Sequence, residues 1–193
     1  MNWEDEGFLL SKSNFDENSI ILEAFTADHG KCRGIVYGGS SRKLKKIFQI
    51  GNKISINYKS KNENKIGYFT AELIKPISPL FFDDKKKTIC ILSASSILKI
   101  LLPEKQTNKV VYSSFEKFLN NLNLDNWIDE YINWELLLIK ELGYENINLN
   151  ISSKMKINEA LKFNKKLIIE NFIEPNGLRF PFSRNVLEKY FFS

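Results

Sequence analysis

Apolar and polar residues alternate along the first part of the chain. The clearest run is Lys53–Ser60, in which Ile54, Ile56 and Tyr58 share one face and the intervening polar residues share the other. This period of two is typical of a β-strand with one buried face. The pattern predicts five short strands separated by Gly- and Asn-containing turns: Gly7–Lys12, Glu17–Thr26, Lys31–Tyr37, Lys53–Ser60 and Ile66–Ile74.

Five strands within one short segment predict a small barrel. The OB-fold is the five-stranded candidate, and OB-folds commonly bind oligonucleotides. Pro76 and Pro79 interrupt regular structure directly after the fifth strand. We therefore predict an OB-fold nucleic-acid-binding domain at residues 1–77 and a second domain at residues 78–193.

The hydrophobic period changes from 2 to 3.6 in the second domain, which indicates helices. Asp84 is placed to cap a helix that runs to about Leu102, where Pro103 follows. Asp125 is placed to cap a later helix that ends at Gly143. The second domain is therefore expected to be all-α, which makes the chain an α+β protein. The other helices are predicted at Lys109–Leu122, Asn158–Asn171 and Ser183–Phe192.

The composition fits a folded protein without a membrane segment. Hydrophobic residues make up 43% and aromatic residues 13% of the 193 residues, which excludes disorder. The longest apolar runs, such as Leu136–Ile139, are too short to span a membrane, and the acidic start is unlike a signal peptide. Cys32 and Cys90 form neither a CxxC pair nor a disulfide framework, so we expect buried thiols in a reducing cytosol.

Positive charge is concentrated in one segment of the chain. The net charge is +5, yet residues 31–65 contain ten Lys or Arg residues and a single acid, Glu63. The rest of the chain is therefore net acidic. Basic residues clustered on strands and glycine turns indicate a surface that holds a polyanion, and nucleic acid is the partner that fits best.

Backbone and side-chain donors come together around residues 38–46. The Gly38–Ser41 turn offers N–H groups, and the basic loop Ser40–Lys46 continues it, a combination that suits phosphates. The GxxxxGK[ST] spacing of a P-loop is absent, and an ordinary solvated basic loop is the alternative interpretation. The predicted DNA contacts are Lys31, Arg33, Arg42, Lys43, Lys45, Lys46, Lys59, Lys61 and Lys65.

Four aromatic residues accompany these charges along the chain. Nucleobases stack on exposed aromatic rings, so each of the four is a candidate platform. Each one also fits a position in the barrel core, and the sequence leaves both interpretations open. The four are Tyr37, Phe48, Tyr58 and Tyr68.

Catalytic and metal-binding patterns are weak in this sequence. His29 is the only histidine and lies in a turn-like Asp28-His29-Gly30 context, without a base or nucleophile at motif spacing. The acidic pairs Asp5-Glu6 and Asp83-Asp84 are better explained as helix caps and surface charge. Two isolated cysteines and one histidine cannot supply a tetrahedral zinc site. We expect no enzyme activity, no metal and no cofactor.

The order of several short motifs resembles the bacterial RecO family of recombination mediators. The similarity covers most of the chain, and its strongest parts are the first ~55 residues and the segment 135–144. No single motif is diagnostic, so the specificity lies in their order. The motifs are Met1–Leu10, Glu17–Glu23, Thr26–Lys31, Gly34–Gly39, Gln49–Gly51 and Glu135–Tyr144.

The resemblance implies a fold and a role. It implies an N-terminal OB-fold, a helical C-terminal domain and a non-enzymatic function in DNA repair in the cytoplasm, associated with the nucleoid. RecO-like proteins bind single- and double-stranded DNA and anneal complementary strands. They act with RecR, and often RecF, to help RecA replace single-strand-binding protein. The acidic C-terminal tail of that protein docks on the helical domain.

The chain departs from the family in one respect. Many members carry a cysteine cluster, often zinc-binding, shortly after the Leu-Gly-aromatic motif. The corresponding segment here, Glu145–Lys154, contains no cysteine. The resemblance therefore implies a short form without the zinc module, in which the basic OB surface carries most of the DNA binding.

Three other functions stay open at the level of sequence. An OB-fold module that binds RNA or ribosomes fits the basic face equally well. A nuclease would need an acidic cluster that the sequence does not show. A protein-binding scaffold with incidental charge would show no salt-sensitive binding to oligonucleotides.

Overall fold

The computed structural model describes residues 1–62, 65–144 and 155–192, except for the side chains of Lys43 and Lys45. All five predicted strands are present, and the first extends beyond its predicted ends in both directions. The strands are β1 Asn2–Asn14, β2 Ser19–Thr26, β3 Gly30–Tyr37, β4 Lys53–Lys59 and β5 Gly67–Lys75.

The five strands close into a barrel in the order β1-β2-β3-β5-β4. All neighbours are antiparallel except β3 and β5, which run parallel and pair Gly34 with Gly67 and Ile35 with Tyr68. A Cβ atom on Gly67 would clash with the ring of Tyr58, so this closure requires glycine. The barrel is the predicted OB-fold.

The basic segment after β3 is a helix and not the loop that we predicted. Helix α1, Arg42–Ile47, begins at Ser41, whose side chain accepts a hydrogen bond from the backbone N–H of Leu44. Leu44 and Ile47 pack against the barrel core beside the fully buried Phe48. Two apolar positions among lysines are too few for a periodic signal, so packing against the barrel defines this helix.

Five further helices follow the barrel in the part of the chain that the structure describes. Asp84 caps the first of them through the Lys87 N–H at 3.1 Å, as predicted. The predicted Asp125 cap is wrong, because the helix begins after Asn126 without a side-chain cap. Gly143, with φ of +111°, ends that helix. The helices are α2 Lys85–Leu101, α3 Lys109–Asn120, α4 Trp127–Glu141, α5 Ile157–Ile168 and α6 Phe182–Lys189.

Two hydrophobic cores hold the protein together. One fills the barrel interior around Leu22, Ile54 and Ile56. The other joins the outer face of β1 and β2 to the helices, where the ring of Phe8 lies 5.3 Å from that of Phe115. Helices α2 and α3 therefore cover one face of β1 and β2, and the exposed cations of the segment 31–65 lie on β3, α1 and the turn between β4 and β5.

A buried ion pair links three helices in the second domain. Arg184 of α6 donates to both carboxylate oxygens of Glu135 in α4, at 2.6 and 3.1 Å, and to the carbonyl of Leu161 in α5. Tyr131 and Asn164 also donate to Glu135. Both charged side chains have no exposed surface, and the charge of Glu135 raises the pKa of Arg184 against the effect of burial.

No described helix is long and apolar enough to cross a membrane. Cys32 and Cys90 are both buried and unpaired, as predicted. Burial raises the pKa of Cys32 to about 12, so this thiol stays protonated and unreactive at neutral pH. The cysteine-free segment Glu145–Lys154 lies outside the described residues.

Candidate nucleic-acid interface

The outer faces of β3, β4 and β5 form one continuous surface. Arg33, Ile35 and Tyr37 share the outer side of β3, because the residues between them face the barrel interior, and of the three Arg33 and Tyr37 are exposed. Tyr68 of β5 is the register partner of both Ile35 on one side and Lys59 on the other. Cross-strand pairing therefore brings aromatic and basic side chains together on this surface.

Two exposed tyrosines lie at the centre of the surface. Tyr37 is 65% exposed and Tyr68 is 43% exposed. Their rings stack with centroids 5.1 Å apart and an interplanar angle of 20°. The side-chain hydrogen bond with Tyr68 raises the pKa of Tyr37. The other two aromatic candidates, Phe48 and Tyr58, are buried in the barrel core.

Exposed cations lie on the elements next to the tyrosine pair, namely the helix that follows Tyr37 and the turn that precedes Tyr68. Lys59, Lys61 and Lys65 are exposed at the turn between β4 and β5, and Arg42 and Lys46 are exposed on α1. Within the described residues, none of the five forms an ion pair, so their charges are available to an anionic ligand. The predicted contacts Lys43 and Lys45 also lie on α1, with side chains outside the described part.

Lys31 is buried, contrary to the predicted exposure. Its side chain faces away from the barrel interior, but α2 covers it, and Nζ donates to the carbonyl of Lys99 at 2.6 Å. Burial lowers the pKa of Lys31, while the carboxylates of Glu23 and Glu104 act in the opposite direction. The alternation of apolar and polar residues indicates which side of a strand a residue occupies, but it does not reveal that a helix distant in the sequence covers that side. Lys31 therefore connects β3 to α2.

Two other cations of the basic segment have acidic partners. The Nε atom of Arg33 lies 3.4 Å from a carboxylate oxygen of Glu104, although the arginine side chain stays 58% exposed. The Nζ atom of Lys53 lies 2.9 Å from both Glu6 and Glu116, and these hydrogen bonds raise the pKa of Lys53 against the effect of burial. Arg33 therefore remains accessible to a ligand, whereas Lys53 ties the barrel to α3.

A cleft of about 310 Å³ adjoins Arg33 and Lys65. The rings of Trp3 and His29 stack inside it with centroids 4.1 Å apart and an interplanar angle of 9°. Tyr58 stacks on Trp3 with centroids 4.8 Å apart. No local pattern indicates this cleft, because its lining residues come from four segments that are distant in the sequence.

His29 lies in a turn, as predicted, and a carboxylate fixes its ring. Oδ2 of Asp5 lies 2.8 Å from Nδ1 of His29 and accepts hydrogen bonds from the backbone N–H groups of Asp28 and His29. Burial alone would raise the pKa of Asp5, but these hydrogen bonds outweigh it and lower the pKa. The residues 1–62, 65–144 and 155–192 contain no group of three His, Cys, Asp or Glu residues that could hold a metal.

Comparisons with known proteins point to one family. Residues 1–77 match the family model described as Recombination protein O N terminal, and residues 83–153 match Recombination protein O C terminal. The chain is 34% identical over 165 residues to the DNA repair protein RecO of Wolbachia sp. subsp. Drosophila simulans, which covers 84% of this chain and 68% of that protein.

Two further relatives show the same similarity. The DNA repair protein RecO of Cereibacter sphaeroides is 33% identical over 144 residues, covering 75% of this chain and 60% of the relative. That of Ehrlichia chaffeensis is 31% identical over 165 residues, covering 84% and 66%. The similarity therefore spans both the barrel and the helices, and the chain corresponds to roughly two thirds of each relative.

Proposed function

We propose that this chain, which belongs to the RecO family of DNA repair proteins, is a non-enzymatic DNA-binding mediator of recombination. It binds single- and double-stranded DNA and anneals complementary strands. It also assists RecA in replacing single-strand-binding protein on DNA. The observation that carries the proposal is the exposed Tyr37–Tyr68 stack, with exposed cations on the helix that follows Tyr37 and on the turn that precedes Tyr68.

The cations and the aromatic rings make different contributions to the binding of a single strand. Lys and Arg side chains neutralise phosphates, and stacked aromatic rings bind bases without requiring a particular sequence. A surface with both properties suits a protein that must act on strands of any sequence. Six of the predicted contacts are exposed in the structure: Arg33, Arg42, Lys46, Lys59, Lys61 and Lys65.

The partners belong to the same proposal. RecR and the acidic C-terminal tail of single-strand-binding protein are the expected protein partners, with the tail docking on the helical domain. The site of action is the cytoplasm, at the nucleoid. Helices α2 and α3 cover β1 and β2, so DNA on the opposite side of the barrel leaves the outer surface of the helical domain free for a protein.

Salt dependence tests the DNA contact directly. If about six phosphates are neutralised, the logarithm of the single-strand binding constant falls against the logarithm of salt with a slope of roughly −4. Replacing Arg42, Lys43, Lys45 and Lys46 together by Ala flattens the slope by about 0.7 for each cation that contacts a phosphate. The same variant loses annealing of strands coated with single-strand-binding protein.

A matched variant controls for the change in net charge. The control replaces four exposed lysines of the helical domain by Ala: Lys85, Lys140, Lys166 and Lys189. It removes the same amount of positive charge, but at positions outside the barrel, so the salt slope stays unchanged. An unchanged slope in the α1 variant would reject this interface. Competition between single-stranded DNA and RNA of one sequence tests the ligand class, and a preference for RNA would favour an RNA-binding module.

A further inference from the structure

We propose that the cleft containing Trp3 and His29 binds one unstacked nucleobase of a single strand. In this proposal the base stacks on His29, and its flanking phosphates contact Arg33 and Lys65. The inference rests on the proposed function, because it assigns a second base-binding position to the same strand. The Tyr37–Tyr68 stack is the first.

The size of the cleft fits a single nucleotide. Its volume of about 310 Å³ lies at the lower end of the roughly 300–1,000 Å³ found for pockets that hold small molecules. Arg33 and Lys65 line this cleft, and both also belong to the exposed basic surface. A strand that follows these cations therefore passes the mouth of the cleft.

The aromatic stack inside the cleft is incomplete. Trp3 contacts both Tyr58 and His29, whereas the side chain of His29 is 31% exposed and lines the cleft. A planar base placed on His29 continues the stack by one ring. Such stacking is tolerant of sequence, because every base has a π-face.

The His29 ring is oriented before any ligand arrives. A carboxylate can only accept a hydrogen bond, so the 2.8 Å contact with Asp5 requires that Nδ1 of His29 carries the hydrogen. Nε2 forms no hydrogen bond with the described residues and is left for a polar group of the ligand. The side chain of Asp5 is only 4% exposed, so solvent competes little for the contact that holds the ring.

The cleft is lined by charges of both signs, which suits a nucleotide. Glu104 and Asp28 line the same cleft as Arg33, Lys65 and Lys105. A nucleotide places its phosphate towards the cations and offers ring N–H and amino groups to the carboxylate oxygens, which matches both signs of charge.

Photochemical crosslinking of the full chain tests the proposal. A single-stranded oligonucleotide with one 5-iodouracil is irradiated with the protein, and the crosslinked residues are identified by mass spectrometry. We expect crosslinks at Trp3, His29 or Tyr58 in addition to Tyr37 and Tyr68, and we expect the cleft crosslinks to disappear when the oligonucleotide is fully duplex. Crosslinks confined to Tyr37 and Tyr68 would overturn the proposal.

Two His29 variants separate stacking from folding. His29→Ala lowers the affinity for a short oligonucleotide about tenfold, which is within the range for loss of one base stack. His29→Phe keeps a ring and retains most of the affinity, even though it loses the Asp5 contact. Phe182→Ala, which truncates a 78% exposed ring on α6, is the control and changes nothing. Weak binding by His29→Phe, equal to that of His29→Ala, would overturn the stacking role.

The outcomes also distinguish this inference from the proposed function. Salt-dependent binding and annealing with no crosslink in the cleft would reject the cleft and leave the mediator role intact. Absence of any salt-dependent binding by the wild-type protein would reject both.

Discussion

At the scale of single residues, solvent exposure divides the cations of the basic segment into two groups. Lys31 and Lys53 are held by acceptors and carboxylates on the helical domain, whereas Lys59, Lys61 and Lys65 are exposed at a turn. Buried charges are paired because an unpaired buried charge is costly, and exposed ones are free to exchange counterions for phosphates. The same residue type therefore connects parts of the fold in one place and stays available to an anionic ligand in another.

The tyrosine pair gives the sharpest prediction at this scale. Tyr37→Ala combined with Tyr68→Ala weakens single-strand binding by about 1–3 kcal/mol for each base that loses its stacking partner. The salt slope stays unchanged, because no phosphate contact is removed. Fluorescence titrations over a range of salt concentrations measure both quantities together.

Conservative variants of the same residues give the control. Tyr37→Phe with Tyr68→Phe retains both rings, so the affinity remains close to that of the wild type. An alanine variant with full affinity, or one with a flatter salt slope, would show that the two rings do not stack on bases.

At the scale of secondary-structure elements, β1 holds the turn between β2 and β3 through one carboxylate. Asp5 accepts hydrogen bonds from the ring and backbone of His29 and from the backbone of Asp28. The two segments are 24 residues apart in sequence, and they are brought together by pairing of Gly7 with Thr26. A local sequence pattern cannot reveal such a contact.

The lowered pKa of Asp5 predicts how this contact depends on pH. A carboxyl group with a lower pKa in the folded state stabilises the fold above its unfolded-state pKa, and this contribution is lost as the pH falls through the folded-state value. Asp5→Asn therefore lowers the free energy of unfolding at pH 7 by about 1–2 kcal/mol, as expected for loss of charge-assisted hydrogen bonds. Chemical denaturation measures the difference.

The difference between wild type and Asp5→Asn shrinks as the pH falls from the ordinary carboxyl value through the lower folded-state value, because the carboxyl group of Asp5 is then protonated and as uncharged as the amide. A difference that stays constant between pH 7 and pH 3 would show that the charge of Asp5 is not what stabilises the turn.

The strands and most helices could be predicted from the sequence because their signals are local. The alternating pattern of Lys53–Lys59 spans only a few residues, and the side chain of Asp84 caps a backbone N–H only a few residues further along the chain. Helix α1 could not be predicted, because the barrel surface supplies the packing that its two apolar residues lack. The basic surface was visible as a charge cluster, whereas the burial of Lys31 and the Trp3–His29 cleft depend on contacts between distant segments.

At the scale of the whole molecule, the Arg184–Glu135 pair fixes the arrangement of α4, α5 and α6. Removing one partner leaves the other as an uncompensated buried charge, so Arg184→Leu lowers the free energy of unfolding by about 3–5 kcal/mol. This is a large part of the total stability of a typical domain, roughly 5–15 kcal/mol. Denaturant unfolding followed by circular dichroism measures the loss.

The double variant tests the reason for that loss. Arg184→Leu combined with Glu135→Leu removes both charges. The Tyr131 hydroxyl keeps its hydrogen bond with Ser93, and the Asn164 amide keeps its hydrogen bond to the carbonyl of Ile132. The double variant is therefore more stable than Arg184→Leu alone. A double variant that is less stable than either single one would contradict this explanation.

The outer face of β1 and β2 has a consequence for how the protein can be dissected. Three apolar residues of this face pack against α2 and α3 and belong to the core of the helices: Phe8, Leu10 and Phe25. They nevertheless lie in the segment that looks like an independent OB-fold. A fragment that ends at the barrel would present this apolar strip to water, where such patches promote aggregation. The smallest fragment that keeps the proposed DNA-binding surface folded therefore includes helices that need not touch DNA at all.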